Sequence, residues 1–158
     1  MKAIIAFLIL SFAVAGEGFG QDKKENPVSQ AIEAKKYTFR VRSIMPASGG
    51  TRQVTSQWDF TVNGDSIISY LPYFGRAYVA PIGRSTDPLN FTSTDYSYKV
   101  TPAKKGGWNI EIKPNDISDI RMMNLNISKA GYGTLYVTHQ NRQNISYTGV
   151  VEPLKKKA

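Results

Sequence analysis

The 158 residues contain no cysteine and one histidine, His139. The first absence removes disulfides, thiolate metal sites and lipid attachment through an N-terminal cysteine. The second leaves zinc-type sites short of ligands and ties any Ser-His-Asp triad to one position. His139 stands in Thr138-His139-Gln140-Asn141, at an expected strand end, and the chain has no Gly-x-Ser-x-Gly elbow, so a turn histidine is the better reading. Carboxylates are scarce, 12 Asp and Glu against 20 Lys and Arg. Glycoside hydrolysis needs a facing pair of them, and Asp59 and Glu111 fall on polar strand faces. Asp116 and Asp119 are close in sequence, but Asp-x-x-Asp alone is a weak calcium pattern and suits turns or caps. No enzyme activity, metal or cofactor is expected, and a hydrolase is the least supported reading.

Only one long apolar run occurs. Lys2 is followed by Ala3 to Ala15 and then by the small-residue stretch Gly16 to Gly20. A charged start, an apolar core and a small-residue exit form a secretory signal pattern. The run is too short to span a bilayer, which takes ~20 apolar residues. Cleavage is expected after Gly20, where Gln21 opens a polar stretch; Ala15 also fits the small-x-small rule. The protein is therefore expected to be exported, periplasmic or extracellular, with no lipid anchor and no transmembrane segment. An exported chain without cysteine fits a bacterial route better than an animal one.

The net charge is +8, and the mature chain keeps it because Lys2 and Glu17 leave together. Lysines cluster in runs at 23–24, 35–36, 104–105 and 155–157, as solvated ends and turns do. No nucleic-acid motif accompanies them, and export makes nucleic acid an unsuitable partner. The three Asn-x-Ser/Thr triplets, at Asn90, Asn126 and Asn144, read as chance in a Ser/Thr/Asn-rich chain.

One short helix is expected. Asn26 is a good N-cap, Pro27 suits the first helical position, and Val28, Ala31 and Ile32 share a face up to Lys36. Beyond it the period becomes two. Tyr37, Phe39, Val41 and Met45 share one face; Trp58, Phe60 and Val62, Tyr96, Tyr98 and Val100, and Trp108, Ile110 and Ile112 do likewise. So do Met123, Leu125 and Ile127, Leu135 and Val137, and the run 145–151. Asn63-Gly64 predicts a type I′ hairpin turn. These patterns predict a mainly β fold of about eight antiparallel strands, in a barrel-like or sandwich sheet with one short N-terminal helix. The organisation is a signal peptide at 1–20, a polar N-terminus and helix at 21–36, one β domain at 37–152 and a basic tail at 153–158.

Leu71 to Pro81 is aromatic and apolar, yet Pro72, Gly75 and Pro81 break any regular strand. As a binding surface, Tyr73, Phe74 and Tyr78 would supply stacking faces and Arg76 a fixed charge. A glycan, a small anion or an envelope protein would suit it. As a structural lid, the segment would fold onto the core with Arg76 paired to a carboxylate. Leu71 to Tyr78, followed by Lys105-Gly106-Gly107-Trp108, resembles a family of secreted Bacteroidota proteins called domain of unknown function 4251. Phe91, Asp95-Tyr96 and the run from Arg142 to Gly149 resemble its later blocks. The resemblance covers most of the mature chain and implies an exported, mainly β protein. It brings no activity and no catalytic residues. The leading expectation is a non-enzymatic ligand- or partner-binding domain; the alternative is a structural or accessory envelope protein.

Overall fold

Asn26 caps the helix as its sequence suggests: its side chain accepts a hydrogen bond from the Val28 amide at 3.0 Å, and Pro27 opens the first turn. A computed structural model describes residues 26–78 and 87–154. The expected signal peptide, residues 21–25, Val79 to Pro81 and the lysines of the tail lie outside the described residues. Helix α1 spans Pro27–Glu33 and buries Val28, Ala31 and Ile32. It ends earlier than expected. Lys35 takes a left-handed conformation (φ 52°) that reverses the chain, and Lys36 already belongs to the first strand. The lysines therefore sit past the helix end.

Ten strands follow among the described residues. They are β1 (Lys36–Pro46), β2 (Arg52–Gln53), β3 (Asp59–Asn63), β4 (Ser66–Tyr70) and β5 (Asn90–Ser93). Then come β6 (Tyr96–Pro102), β7 (Gly107–Pro114), β8 (Ile120–Ser128), β9 (Tyr132–His139) and β10 (Ile145–Pro153). The order across the sheet is β5-β4-β3-β1-β10-β9-β8-β7-β6, antiparallel throughout, with β2 added to β1. The two ends of that order, β5 and β6, follow each other in the chain. One sheet therefore curls until its ends meet and forms a nearly closed barrel rather than a sandwich. Across the gap the Tyr96 hydroxyl donates to the Gly64 carbonyl. The Tyr37 and Tyr98 hydroxyls meet at 3.2 Å. Burial raises the pKa of both phenols, that of Tyr98 to about 12.

The alternation places the core as expected along most strands. Phe39, Phe60, Val62, Ile110, Ile112, Leu125 and Val137 are fully enclosed, each worth ~1.5–3 kcal/mol of transfer free energy. Trp58 and Trp108 only pack against the rim of this core. Two strands, β2 and β5, were not legible as strands. They are two and four residues long, too short to show a period.

Two local corrections follow from backbone geometry. β1 carries a bulge between Val41 and Ser43, which inverts the alternation after it. Ile44 is buried and Met45 is not, the reverse of the simple period. The β3–β4 turn is displaced by one residue. Asn63 pairs with Ser66, and Gly64 and Asp65 form the turn. Only Gly64 has positive φ, 60°, so the turn is type II′ with glycine first, not type I′.

Candidate functional site

After Tyr70 the chain leaves β4 and cannot continue the ladder, because Pro72 lacks an amide hydrogen and Gly75 lacks stiffness. It folds instead onto the β9–β10 loop. The Leu71 amide donates to the Leu89 carbonyl at 3.3 Å, and the buried Tyr147 hydroxyl donates to the Pro72 carbonyl at 2.8 Å. Further along, Gln143 acts as a clamp. Its side-chain oxygen accepts from the Arg76 amide at 3.0 Å, and its own amide donates to the Arg76 carbonyl at 3.0 Å. Ala77 bridges Arg142, and the Tyr78 amide donates to the Asn141 carbonyl at 2.8 Å. Residues 71–78 thus form a strap fixed through its backbone. Gly75 leaves room for the Tyr73 hydroxyl, which a Cβ there would displace.

The four residues singled out in the sequence divide into two groups. Tyr73 turns inward. Its hydroxyl donates to the Gln143 carbonyl at 2.9 Å, and its ring meets the His139 ring edge-on at 5.1 Å. Burial raises its pKa, with Arg142 opposing the shift. Phe74, Arg76 and Tyr78 turn outward. Phe74 is 41% exposed and carries the Arg52 guanidinium 4.7 Å above its ring, a cation–π contact. Tyr78 is 70% exposed. The Arg76 side chain is exposed and has no partner among the described residues, so the carboxylate pairing of the lid reading is not found.

Beneath Tyr73 lies a charged cluster that the sequence reading missed. Arg142 Nε donates to Asp119 Oδ2 at 2.7 Å, and His139 Nδ1 is 3.8 Å from the same oxygen. The His139 side chain is fully enclosed, a correction to the turn histidine expected there. Neither ring nitrogen has a hydrogen-bond partner among the described residues. Burial lowers its pKa, Asp119 raises it and Arg142 lowers it, and the balance is downward, so the ring is neutral near pH 7. Asp116 points elsewhere: it accepts from Ser93 at 2.5 Å and from the Thr94 amide at 3.2 Å, fixing the β5–β6 turn. Asp119 and Asp116 therefore serve separate structural roles. The sequence signal for the cluster was present in Arg142-Gln143-Asn144, part of the pattern behind the family resemblance, but nothing in it named the partners.

No helix of the described residues is long and apolar enough to cross a membrane. A family model described as Domain of unknown function (DUF4251) matches residues 20–151. No curated protein matches the chain. Among solved structures, a DUF4251 family protein from Bacteroides eggerthii DSM 20697 is similar at TM-score 0.58 and 18% identity, over 80% of this chain and 85% of that one. At that identity the likeness is one of fold.

Proposed function

The chain belongs to the DUF4251 family, and from that premise we propose that it is an exported, non-enzymatic binding domain whose 71–78 strap presents Phe74, Arg76 and Tyr78 to an anionic ligand or partner. The observation that carries this reading is the division of labour within the strap. Its backbone is held by hydrogen bonds to Asn141, Gln143 and Tyr147, while three of its side chains are left in water. A surface held in advance loses little entropy on binding. Arg76 offers a planar fork for a carboxylate, sulfate or phosphate, and Arg52 above Phe74 adds a second positive charge. Tyr78 offers a stacking face. Export rests on the pattern of residues 1–20.

A second reading has support in Tyr73 and Tyr147. Their hydroxyls are spent on holding the strap, so its inner half acts as a structural lid over the barrel end. The two readings assign different side chains and are compatible. Calorimetric titration with polygalacturonate, a sulfated glycan and inorganic phosphate tests the binding reading. Arg76→Ala and Tyr78→Ala are expected to weaken binding at least tenfold. Parent protein that binds none of the three would overturn the anion reading.

A further inference from the structure

A second surface lies at the other end of β9, roughly 20 Å from the strap by strand rise. The outward side chains of five neighbouring strands line up there in one row: Asn109, Asn126, Thr134, Thr148 and Ser43. At ~4.8 Å per strand the row is roughly 19 Å long. Every member is short and uncharged. The next outward row differs: it carries Lys99 opposite Glu111, and its Tyr136 hydroxyl is bonded to Asn144.

Asn109, Asn126, Thr134 and Thr148 line a concavity of about 490 Å³ on the outside of the barrel, and Ser43 is buried beyond its edge. The outer face of a barrel is normally convex, and glycines explain the exception. Gly133 and Gly149 face each other on β9 and β10, on the inward side, beside the β1 bulge. A Cβ at Gly149 would collide with the Arg40 carbonyl, and one at Gly133 would press on the Phe39 ring at 3.1 Å. The sheet is therefore drawn inward along this line. The β6–β7 turn, through Ala103 and Gly106, forms one wall, and Arg42 and Tyr132 also line the hollow.

At the β1 end the Ser43 and Thr148 hydroxyls bond to each other at 2.5 Å, and the Ser128 hydroxyl accepts from the Tyr132 amide at 3.2 Å; the remaining polar groups of the hollow are unspent. The side chains of Asn109, Asn126, Thr134 and Arg42 and the Tyr132 hydroxyl make no hydrogen bond or ion pair among the described residues. Tyr132 is 66% exposed, so its ring face is available at the rim. Amides and hydroxyls that both donate and accept, repeated at nearly the length of one sugar unit and flanked by a tyrosine face, match the vicinal hydroxyls and apolar faces of a glycan.

We propose that this groove binds an extended uncharged oligosaccharide, its chain running across strands β7, β8, β9, β10 and β1. The site is separate from the strap, and neither reading depends on the other. NMR titration with cellohexaose, xylohexaose, maltohexaose and chitohexaose tests it. At least one hexasaccharide is expected to shift the Asn109 and Asn126 side-chain amide resonances with millimolar or tighter affinity. Asn126→Ala and Thr134→Val are each expected to weaken that binding at least fivefold at unchanged melting temperature, while Arg76→Ala leaves it unaltered. Absence of shifts with all four sugars at 10-fold molar excess over 1 mM protein, on the order of the weakest useful affinity, overturns the proposal. So do shifts confined to residues 71–78.

Discussion

The Tyr147 hydroxyl donates to the Pro72 carbonyl across 75 residues of sequence, inside the barrel end. Tyr147 is fully enclosed on β10, and Pro72 opens the strap, so this one bond ties an irregular segment to the regular sheet. Tyr147→Phe removes the donor and leaves the Pro72 carbonyl buried and unpaired. A loss of about 1–3 kcal/mol follows. Urea unfolding measures it, and proteolysis between residues 71 and 78 is expected to speed up. A variant as stable and as resistant as the parent would show that water satisfies the carbonyl.

The Asp119–Arg142 pair anchors the other side of the strap at 2.7 Å. Arg142→Met keeps the stem and removes the charge, leaving Asp119 beside the enclosed His139 without its cation. About 1–3 kcal/mol of stability is expected to go, discounted for the partial exposure of Asp119. Arg40 and Glu152 form a pair at 3.5 Å with both side chains near half exposure. Arg40→Met there is expected to change stability by less than about 1 kcal/mol. Equal losses at the two sites, read by the same denaturation assay, would remove the distinction.

Acid is expected to loosen this end of the barrel. The folded state lowers the His139 pKa below its ordinary value of 6.5, chiefly by burial, so the unfolded chain binds its proton first as pH falls. The stabilising contribution is complete above about pH 6.5 and is lost progressively below it. Tyr73, Asp119 and Arg142 are the charged or titratable groups facing the ring. The melting temperature is expected to fall between pH 7.5 and 5, above the range where carboxylates titrate. His139→Gln should flatten that slope. An unchanged slope in the variant would place the acid sensitivity elsewhere.

Within the β3–β4 turn one position requires glycine. Gly64 alone has positive φ, while Asn63 pairs within the ladder. Gly64→Ala is expected to cost about 1–2 kcal/mol, and Asn63→Thr less than about 0.5 kcal/mol. Comparable losses at the two positions would restore the type I′ assignment.

Much of the fold was legible because period-two alternation survives in long strands. Met123-Leu125-Ile127 and Trp108-Ile110-Ile112 read as strands because each presents one face to the core along its length. The reading failed where a local event broke the period. The bulge in β1 exchanged Ile44 and Met45, and the Asn63-Gly64 signal was offset by one residue. Strands β2 and β5 are too short for any period to show; pairing with β1 and β4 creates them. The candidate site was half legible. Composition marked 71–78 as unusual but could not tell Tyr73, turned onto His139, from Phe74, Arg76 and Tyr78, turned outward. That division depends on Gln143, Arg142 and Asp119, which come from later strands and loops.

The central claim is that Phe74, Arg76 and Tyr78 are held out for binding and do not hold the fold. The most direct measurement is the melting temperature of the triple variant Phe74→Ala/Arg76→Ala/Tyr78→Ala, taken beside its affinity for polygalacturonate. A shift of at most about 3 °C, on the order of 1 kcal/mol for a chain of this length, together with loss of binding, is the predicted result. A drop of about 10 °C or more with no ligand bound by the parent would contradict it and make the whole strap a lid.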